Sequence, residues 1–143
     1  MFVSNMMNEE LNALVKDLDE KNLIHLNSSI IKESKNNILQ KMGFKGSELK
    51  KYHSLLKDYR FIDELDELTM GNHIRWFNLI NPENIVLYKG AILTKIEYKK
   101  NEIVLLCKGY NNRFFNLKMN DLILFQKFTS QEIILIRILD YIK

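Results

Sequence analysis

The sequence contains very little cysteine and proline, and the shortage of cysteine excludes two kinds of structure. Cys107 is the single cysteine, so neither an intrachain disulfide nor a cysteine-rich zinc site can form. This favours a reducing compartment and a fold that rests on its hydrophobic core. Pro82 is the single proline. We therefore expect an intracellular protein, placed in the cytoplasm.

Long hydrophobic runs are missing too. No stretch reaches the roughly 18 consecutive apolar residues that a membrane span needs. Residues 1–10 lack the basic start and apolar centre of a secretory signal. We therefore expect a soluble, untargeted protein without a membrane partner.

The chain has no strong excess of either charge. Its formal net charge is +3, from 21 basic and 18 acidic residues, which is too small for a histone-like protein. The acids concentrate between Phe61 and Met70, whereas Gly71–Lys143 carries eleven bases against six acids. Hydrophobic periodicity changes at the same place. We predict a helical N-terminal region over 1–68 and a second region over 69–143.

Three amphipathic helices are predicted in the first region. Apolar residues recur at helical spacing over Asn8–Glu20. A second helix follows the capping residues 27–29 and runs to Met42, where Gly43 ends it. A third begins after Ser47 as N-cap, with Glu48 in its first turn.

From Gly71 the pattern changes to short β-type runs that are separated by turn residues. Five strands are predicted, over 73–79, 91–98, 103–108, 114–119 and 122–127. Their spacing leaves no room for intervening helices, so we expect an antiparallel meander. The fold class is thus α+β, with N-terminal helices, a five-stranded SH3-like or Sm-like barrel and a C-terminal helix. An OB-like barrel is a near alternative.

The C-terminal helix has a clear start signal and an unusual composition. Thr129 and Glu132 have the spacing of a capping box. The helix that follows is apolar almost all round, so either the N-terminal helices or a partner chain must cover its second face. We predict that this partner surface includes Ile134, Ile138 and Tyr141.

Basic and aromatic residues of the predicted barrel suggest binding of nucleic acid. Cations engage phosphates and aromatic rings stack on bases. We predict that phosphates contact Arg75, Lys95, Lys99, Lys100 and Arg113, and that bases stack on Trp76 and Tyr110. The alternative is a merely solvated lysine face, with Phe77, Phe114 and Phe115 in the core.

Signals of catalysis are weak, and we predict a protein that is not an enzyme, without metal or cofactor. No glycine-rich phosphate loop occurs, and no two histidines have metal-ligand spacing. The acids of the run 63–67 fit a helical turn with its carboxylates in solvent. Cys107 lies in an apolar strand, where a thiol is usually inert. A nucleophilic pair of Cys107 with His73 is an open alternative.

Four runs resemble a group of small uncharacterised proteins of nucleocytoplasmic large DNA viruses, the giant viruses. They are Tyr59–Leu68, Gly71–Trp76, Phe115–Met119 and Phe125–Phe128, and L-x-x-G-x-x-I-R-W over 68–76 is the most specific part. The resemblance implies a viral protein of the host cytoplasm or the virion. Two functions follow as hypotheses. One is an accessory module that binds RNA or DNA. The other is an interaction or assembly component that contacts itself, or a viral or host protein, through the C-terminal helix.

Overall fold

The computed structural model describes residues 26–142, together with 9, 10, 12, 13 and 16. The chain forms two compact units, one of residues 45–127 and one of residues 1–44 and 128–143. We call them the sheet unit and the helical unit. The predicted boundary at residue 68 falls inside the sheet unit, and the division into domains 1–68 and 69–143 stays a prediction.

Three helices are fully described: α1 (Ser28–Lys41), α2 (Gly46–Leu55) and α3 (Ser130–Ile142). Of the predicted helix Asn8–Glu20, residues 9, 10, 12, 13 and 16 are helical, and the others lie outside the described residues. The cap of α2 differs from the prediction, because the helix begins at Gly46. Lys45 stands at its N-cap without a side-chain hydrogen bond.

In the helical unit, the predicted caps of α1 and α3 are confirmed. The Asn27 side chain accepts a hydrogen bond from the backbone N–H of Ile30, and Gly43 follows α1 with φ +95°. Thr129 and Glu132 form the reciprocal capping box at the start of α3, with both N–H···O distances 3.0 Å.

One face of α3 packs on α1. Leu135 and Leu139 form a small core with Leu26 and Ile31. Asp140 accepts hydrogen bonds from the backbone N–H of Ser28 at 3.0 Å and from its hydroxyl at 2.6 Å. A carboxylate at the first turn of α1 also complements the helix dipole. Helix α1 thus covers one face of α3. The sequence required that either an N-terminal helix or a partner chain do so.

The sheet unit contains six strands. They are β1 (Tyr59–Ile62), β2 (His73–Asn78), β3 (Ala91–Lys99), β4 (Glu102–Lys108), β5 (Phe114–Lys118) and β6 (Leu122–Lys127). All neighbours are antiparallel, in the order β1-β6-β2-β3-β4-β5. The α+β class is therefore correct, and β2 to β5 form the expected meander.

The prediction of a closed five-stranded barrel is wrong. The four-residue strand β1 was missed, because its only partner β6 lies far along the chain. The sheet is open, since the described residues of β5 pair with β4 alone and those of β1 with β6 alone. Only two residue pairs join β2 to β3, and β3 has a bulge between Leu93 and Lys95.

The sheet curls around its main core. This core takes alternate residues from five of the six strands, and Trp76 on β2 is one of them. The rings of Trp76 on β2 and Phe115 on β5 are 6.0 Å apart between centroids. Three strand spacings would separate them by about 14 Å in a flat sheet. We call the concave core side the inner face and the opposite, convex side the outer face.

A buried polar cluster lies at one end of the inner face. The Glu67 carboxylate accepts from the Arg60 guanidinium at 3.0 Å and from the backbone N–H groups of Asp63 and Glu64 at 2.9 and 2.7 Å. Gln126 donates to the carbonyl of Glu67 at 3.2 Å and accepts from the N–H of Thr69 at 2.7 Å. The expectation that this acidic run leaves its carboxylates in solvent is thus wrong for Glu67.

Candidate nucleic-acid interface

Strand register places one row of side chains across the outer face of all six strands. Tyr59 pairs with Lys127, His73 with Ile92, Ile92 with Lys108, and Lys108 with Phe114. Since Ile74 pairs with Gln126, His73 in turn lies opposite Lys127. We call this set the outer row: Tyr59, Lys127, His73, Ile92, Lys108 and Phe114.

His73 stands at the centre of a basic cluster. Its Nδ1 shares a hydrogen bond of 2.9 Å with the Tyr59 hydroxyl. Burial lowers the pKa of His73, and the positive charges of Lys127 and Arg75 lower it further. When the hydroxyl donates to Nδ1, the ring proton is on Nε2, where it is available to an anion. We call His73, Arg75 and Lys127 the cation cluster.

Gly90 makes room for the His73 ring. Its φ is +99°, a conformation that favours glycine. A Cβ at this position would lie 2.6 Å from Cε1 of His73 and would also collide with the carbonyl oxygen of Ile74. The position of the imidazole therefore depends on a glycine at residue 90.

Arg75 is held by two backbone carbonyls. Its Nε donates to Tyr88 at 2.9 Å, and its Nη1 donates to Leu55, the last residue of α2, at 3.3 Å. A cation is favourable beside the carbonyls of a helix C-terminus. A guanidinium has five N–H groups, so these two bonds fix the side chain and leave donors for a ligand.

Two exposed aromatic residues lie at the β5 end of the outer row and in the turn before it. Phe114 ends the outer row with 60% of its surface exposed, and Tyr110 in the β4–β5 turn is 73% exposed. Asn111 and Asn112 adopt positive φ in this turn.

The structure divides the predicted phosphate contacts into two groups. Arg75 joins the cation cluster, and exposed Arg113 precedes Phe114 in the chain. Lys99 and Lys100 lie near the β3–β4 turn, about 20 Å along β3 from Ile92. Lys95 lies between, on the outer face. Glu97 forms ion pairs with Lys95 at 3.6 Å and with Lys99 at 3.2 Å, so its carboxylate reduces the net positive charge of this group.

Trp76, predicted to stack on a base, lies in the core. Only 4% of its surface is exposed, on the inner face. Its ring stacks on Tyr88 with centroids 5.5 Å apart and planes at 19°. The alternative assigned Phe77, Phe114 and Phe115 to the core; Phe77 is fully buried and Phe115 packs on the core, whereas Phe114 is exposed.

Sequence reasoning assigned no site role to Tyr59 and Lys127 of this surface, and the alternative placed Phe114 in the core. Lys127 ends a predicted strand, and parity along β6 places it on the face opposite buried Leu124. That signal was present in the sequence. Tyr59 depends on the undetected strand β1, so no local pattern identified it.

The histidine, cysteine and acidic side chains of the described residues bear on metal binding and on the alternative pair of Cys107 with His73. No group of three or more histidine, cysteine, aspartate or glutamate side chains there has the geometry to hold a metal ion. Cys107 is buried on the inner face, and burial raises its pKa to about 11. His73 lies on the outer face, so the alternative pair of Cys107 and His73 is wrong.

The predicted partner surface on α3 is partly exposed. Ile134 and Tyr141 each expose 50% of their surface, and Ile133 beside them is also exposed. Ile138 is buried. Only Ile134 and Tyr141 of the predicted set are therefore accessible on the helix.

Comparison of the chain with protein-family models, curated proteins and solved structures found no match. The resemblance to giant-virus proteins accordingly stays a prediction. Among the described residues, every helix is too short or too polar to cross a membrane.

Proposed function

We propose that the protein is a non-enzymatic binding module that contacts nucleic acid through the outer row of its curled sheet. The observation that carries this proposal is the cation cluster, where strand register sets Lys127 opposite His73 and alternation along β2 sets Arg75 on the same face. Arg75 and Lys127 are its charged members, and a phosphate group beside them would form ion pairs with both. His73, whose pKa is lowered, adds a neutral N–H donor.

The proposed contacts differ from the set predicted from sequence. Arg75 stays a phosphate ligand, and Lys127 and His73 join it. Arg113 and Lys95 lie at the margin of the same surface. Lys99 and Lys100 are too distant to bind the same phosphate, because about 20 Å separates them from the outer row.

The test is a titration of a fluorescently labelled 12-mer followed by anisotropy at several salt concentrations. We expect binding at 50 mM salt whose logarithmic affinity falls linearly with the logarithm of salt concentration. Lys127→Ala removes one phosphate contact and should make that slope shallower by about 0.7 to 0.9. Lys100→Ala removes the same charge at the distant turn and should leave the slope almost unchanged.

Two results would overturn the proposal. One is the absence of binding at 50 mM salt. The other is an equal effect of Lys100→Ala and Lys127→Ala, since the outer row would then have no special part in binding. Fluorescence of Trp76, the single tryptophan, reports in each variant whether the sheet unit is folded.

A second candidate function is protein interaction or virion assembly through α3. The exposed apolar side chains of Ile134 and Tyr141 favour it. Ile134→Asp should abolish any concentration-dependent increase of molar mass in light scattering. Buried Ile138 is unsuitable for this test, because Ile138→Asp would unfold the helical unit. A monomer at all concentrations would exclude self-assembly.

Origin and location are part of the proposal as well. The resemblance, which runs from about Tyr59 to Lys143, supports an accessory protein of a giant virus, acting in the host cytoplasm or packaged in the virion. A phosphate-binding surface suits either place, because nucleic acid is present in both.

A further inference from the structure

The aromatic residues beside the cation cluster distinguish between kinds of nucleic acid. Phe114 exposes 60% of its surface on edge strand β5, and Tyr110 exposes 73% in the adjoining turn. Exposed rings next to cations are the arrangement with which proteins bind unpaired bases, since each base offers a flat face for stacking. We infer that the ligand is a single-stranded phosphodiester chain, held by its phosphate at the cation cluster and by stacked bases on Phe114 and Tyr110. This inference rests on the proposed function.

The shape of the sheet supports a single strand over a duplex. The outer face is convex, because the strands curl around the core on the other side. The major groove of DNA admits a helix or a two-stranded ribbon, and base faces inside a duplex are hidden by stacking. Helix α2 covers part of this face, because its Tyr52 packs on fully buried Phe77, and the outer row lies beside the covered part. A duplex on the row would present only its phosphates, and Phe114 would gain no base.

The distance along the outer row also suits a flexible strand. Three strand spacings separate His73 from Phe114, which corresponds to about 14 Å measured along the sheet. Stacked bases advance about 3.4 Å along one strand, so this distance requires several nucleotides that are free to extend. Lys108 and Ile92 lie between the two ends and provide a further cation and an apolar contact.

The sugar is left open by this geometry. RNA and DNA both offer phosphates to the cation cluster and base faces to the aromatic rings. The experiment therefore compares oligodeoxyuridylate and oligouridylate 12-mers, which differ only in the sugar, with a 12-base-pair DNA duplex, each labelled and titrated at 50 mM salt. We expect both single strands to bind at least tenfold more tightly than the duplex.

Aromatic variants test the stacking. Phe114→Ala should weaken binding of the single strands about 5- to 100-fold, and Tyr110→Ala should act in the same direction. Phe114→Tyr keeps a ring and should retain affinity within about twofold. Tyr98→Ala is the matched control, because Tyr98 is 74% exposed near the far end of β3 and should have no effect.

The outcomes separate the inference from the proposed function. Duplex binding as tight as single-strand binding overturns the inference and leaves the proposed function standing. The same holds if Phe114→Ala is silent while Lys127→Ala weakens binding. If none of the three oligonucleotides binds, both fail. A preference of one single strand over the other identifies the sugar and supports the inference.

Discussion

Neutralising Glu67 should destabilise the sheet unit, because this carboxylate holds three hydrogen bonds at once. One oxygen accepts from Arg60 at 3.0 Å, and the other accepts from the N–H groups of Asp63 and Glu64. Glu67→Gln keeps the shape of the side chain but leaves only one accepting oxygen. Either Arg60 loses its acceptor or two backbone N–H groups do.

The magnitude follows from either loss. A hydrogen bond to a charged group contributes about 1.5 to 3 kcal/mol, and two neutral ones together contribute a similar amount. Arg60 is buried, so weakening its bond to the Glu67 carboxylate adds to the loss. We expect the free energy of unfolding to fall by about 2 to 3 kcal/mol, which is a large part of the 4 to 12 kcal/mol typical for a unit of this size.

The assay is urea unfolding followed by fluorescence. Trp76 is the single tryptophan and lies in the core of the sheet unit, so its emission reports unfolding of that unit. The midpoint should fall by about 1 to 2 M urea. Asp66→Asn is the matched control: it removes one charge from an exposed acid in the same turn and should change the midpoint little. Equal midpoints for Glu67→Gln and Asp66→Asn would refute the reasoning.

Three further predictions concern the surroundings of the site. Gly90→Ala should destabilise the sheet unit by at least about 1 to 2 kcal/mol in the same urea assay and weaken oligonucleotide binding, since a Cβ there collides with His73; an unchanged midpoint would contradict this. Folding lowers the pKa of His73, so the stability that this histidine contributes is complete above its unfolded pKa of 6.5 and is lost as pH falls through its lower folded pKa. His73→Gln should therefore reduce the loss of stability at acid pH. An identical pH dependence of stability in the variant would count against this prediction. Native Cys107 should not react with a thiol reagent at pH 8, because burial raises its pKa to about 11, and should react fully in urea; rapid reaction of the folded protein would show that the strand opens.

Local patterns predicted most of the individual elements. The run Leu122–Lys127 was bounded correctly at both ends, and the capping boxes and glycine signals identified α1 and α3. The tight turn between β3 and β4 was also predicted, and Lys100 and Asn101 adopt the positive φ that a two-residue hairpin loop requires. These features succeed because their signals lie within a few neighbouring residues.

Features that depend on distant partners were not predictable in this way. Strand β1 has four residues and becomes a strand only beside β6. The predicted stacking of a base on Trp76 conflicts with the alternation of strand β2, because adjacent residues of a strand point to opposite faces. With Arg75 on the outer face, Ile74 and Trp76 both lie on the inner face.

The candidate site required the register of all six strands. His73 and Arg75 are two residues apart in a predicted strand, so their spacing alone places them on one face. Their proximity to Lys127 and Tyr59 depends on the order β1-β6-β2, which places residues from three distant parts of the chain side by side. Composition indicated a basic region, and the arrangement of strands selects which cations act together.

The strand order also has a consequence for synthesis of the chain on the ribosome. Strand β1 ends at Ile62, and its only described partner begins at Leu122, so about 60 residues must be made before the two can meet. At about 5 to 20 residues per second, this takes about 3 to 12 s. During that interval the hairpins of β3, β4 and β5 can form, because their partners are local. The tyrosine of the outer row would then be among the last parts of the sheet to take its place.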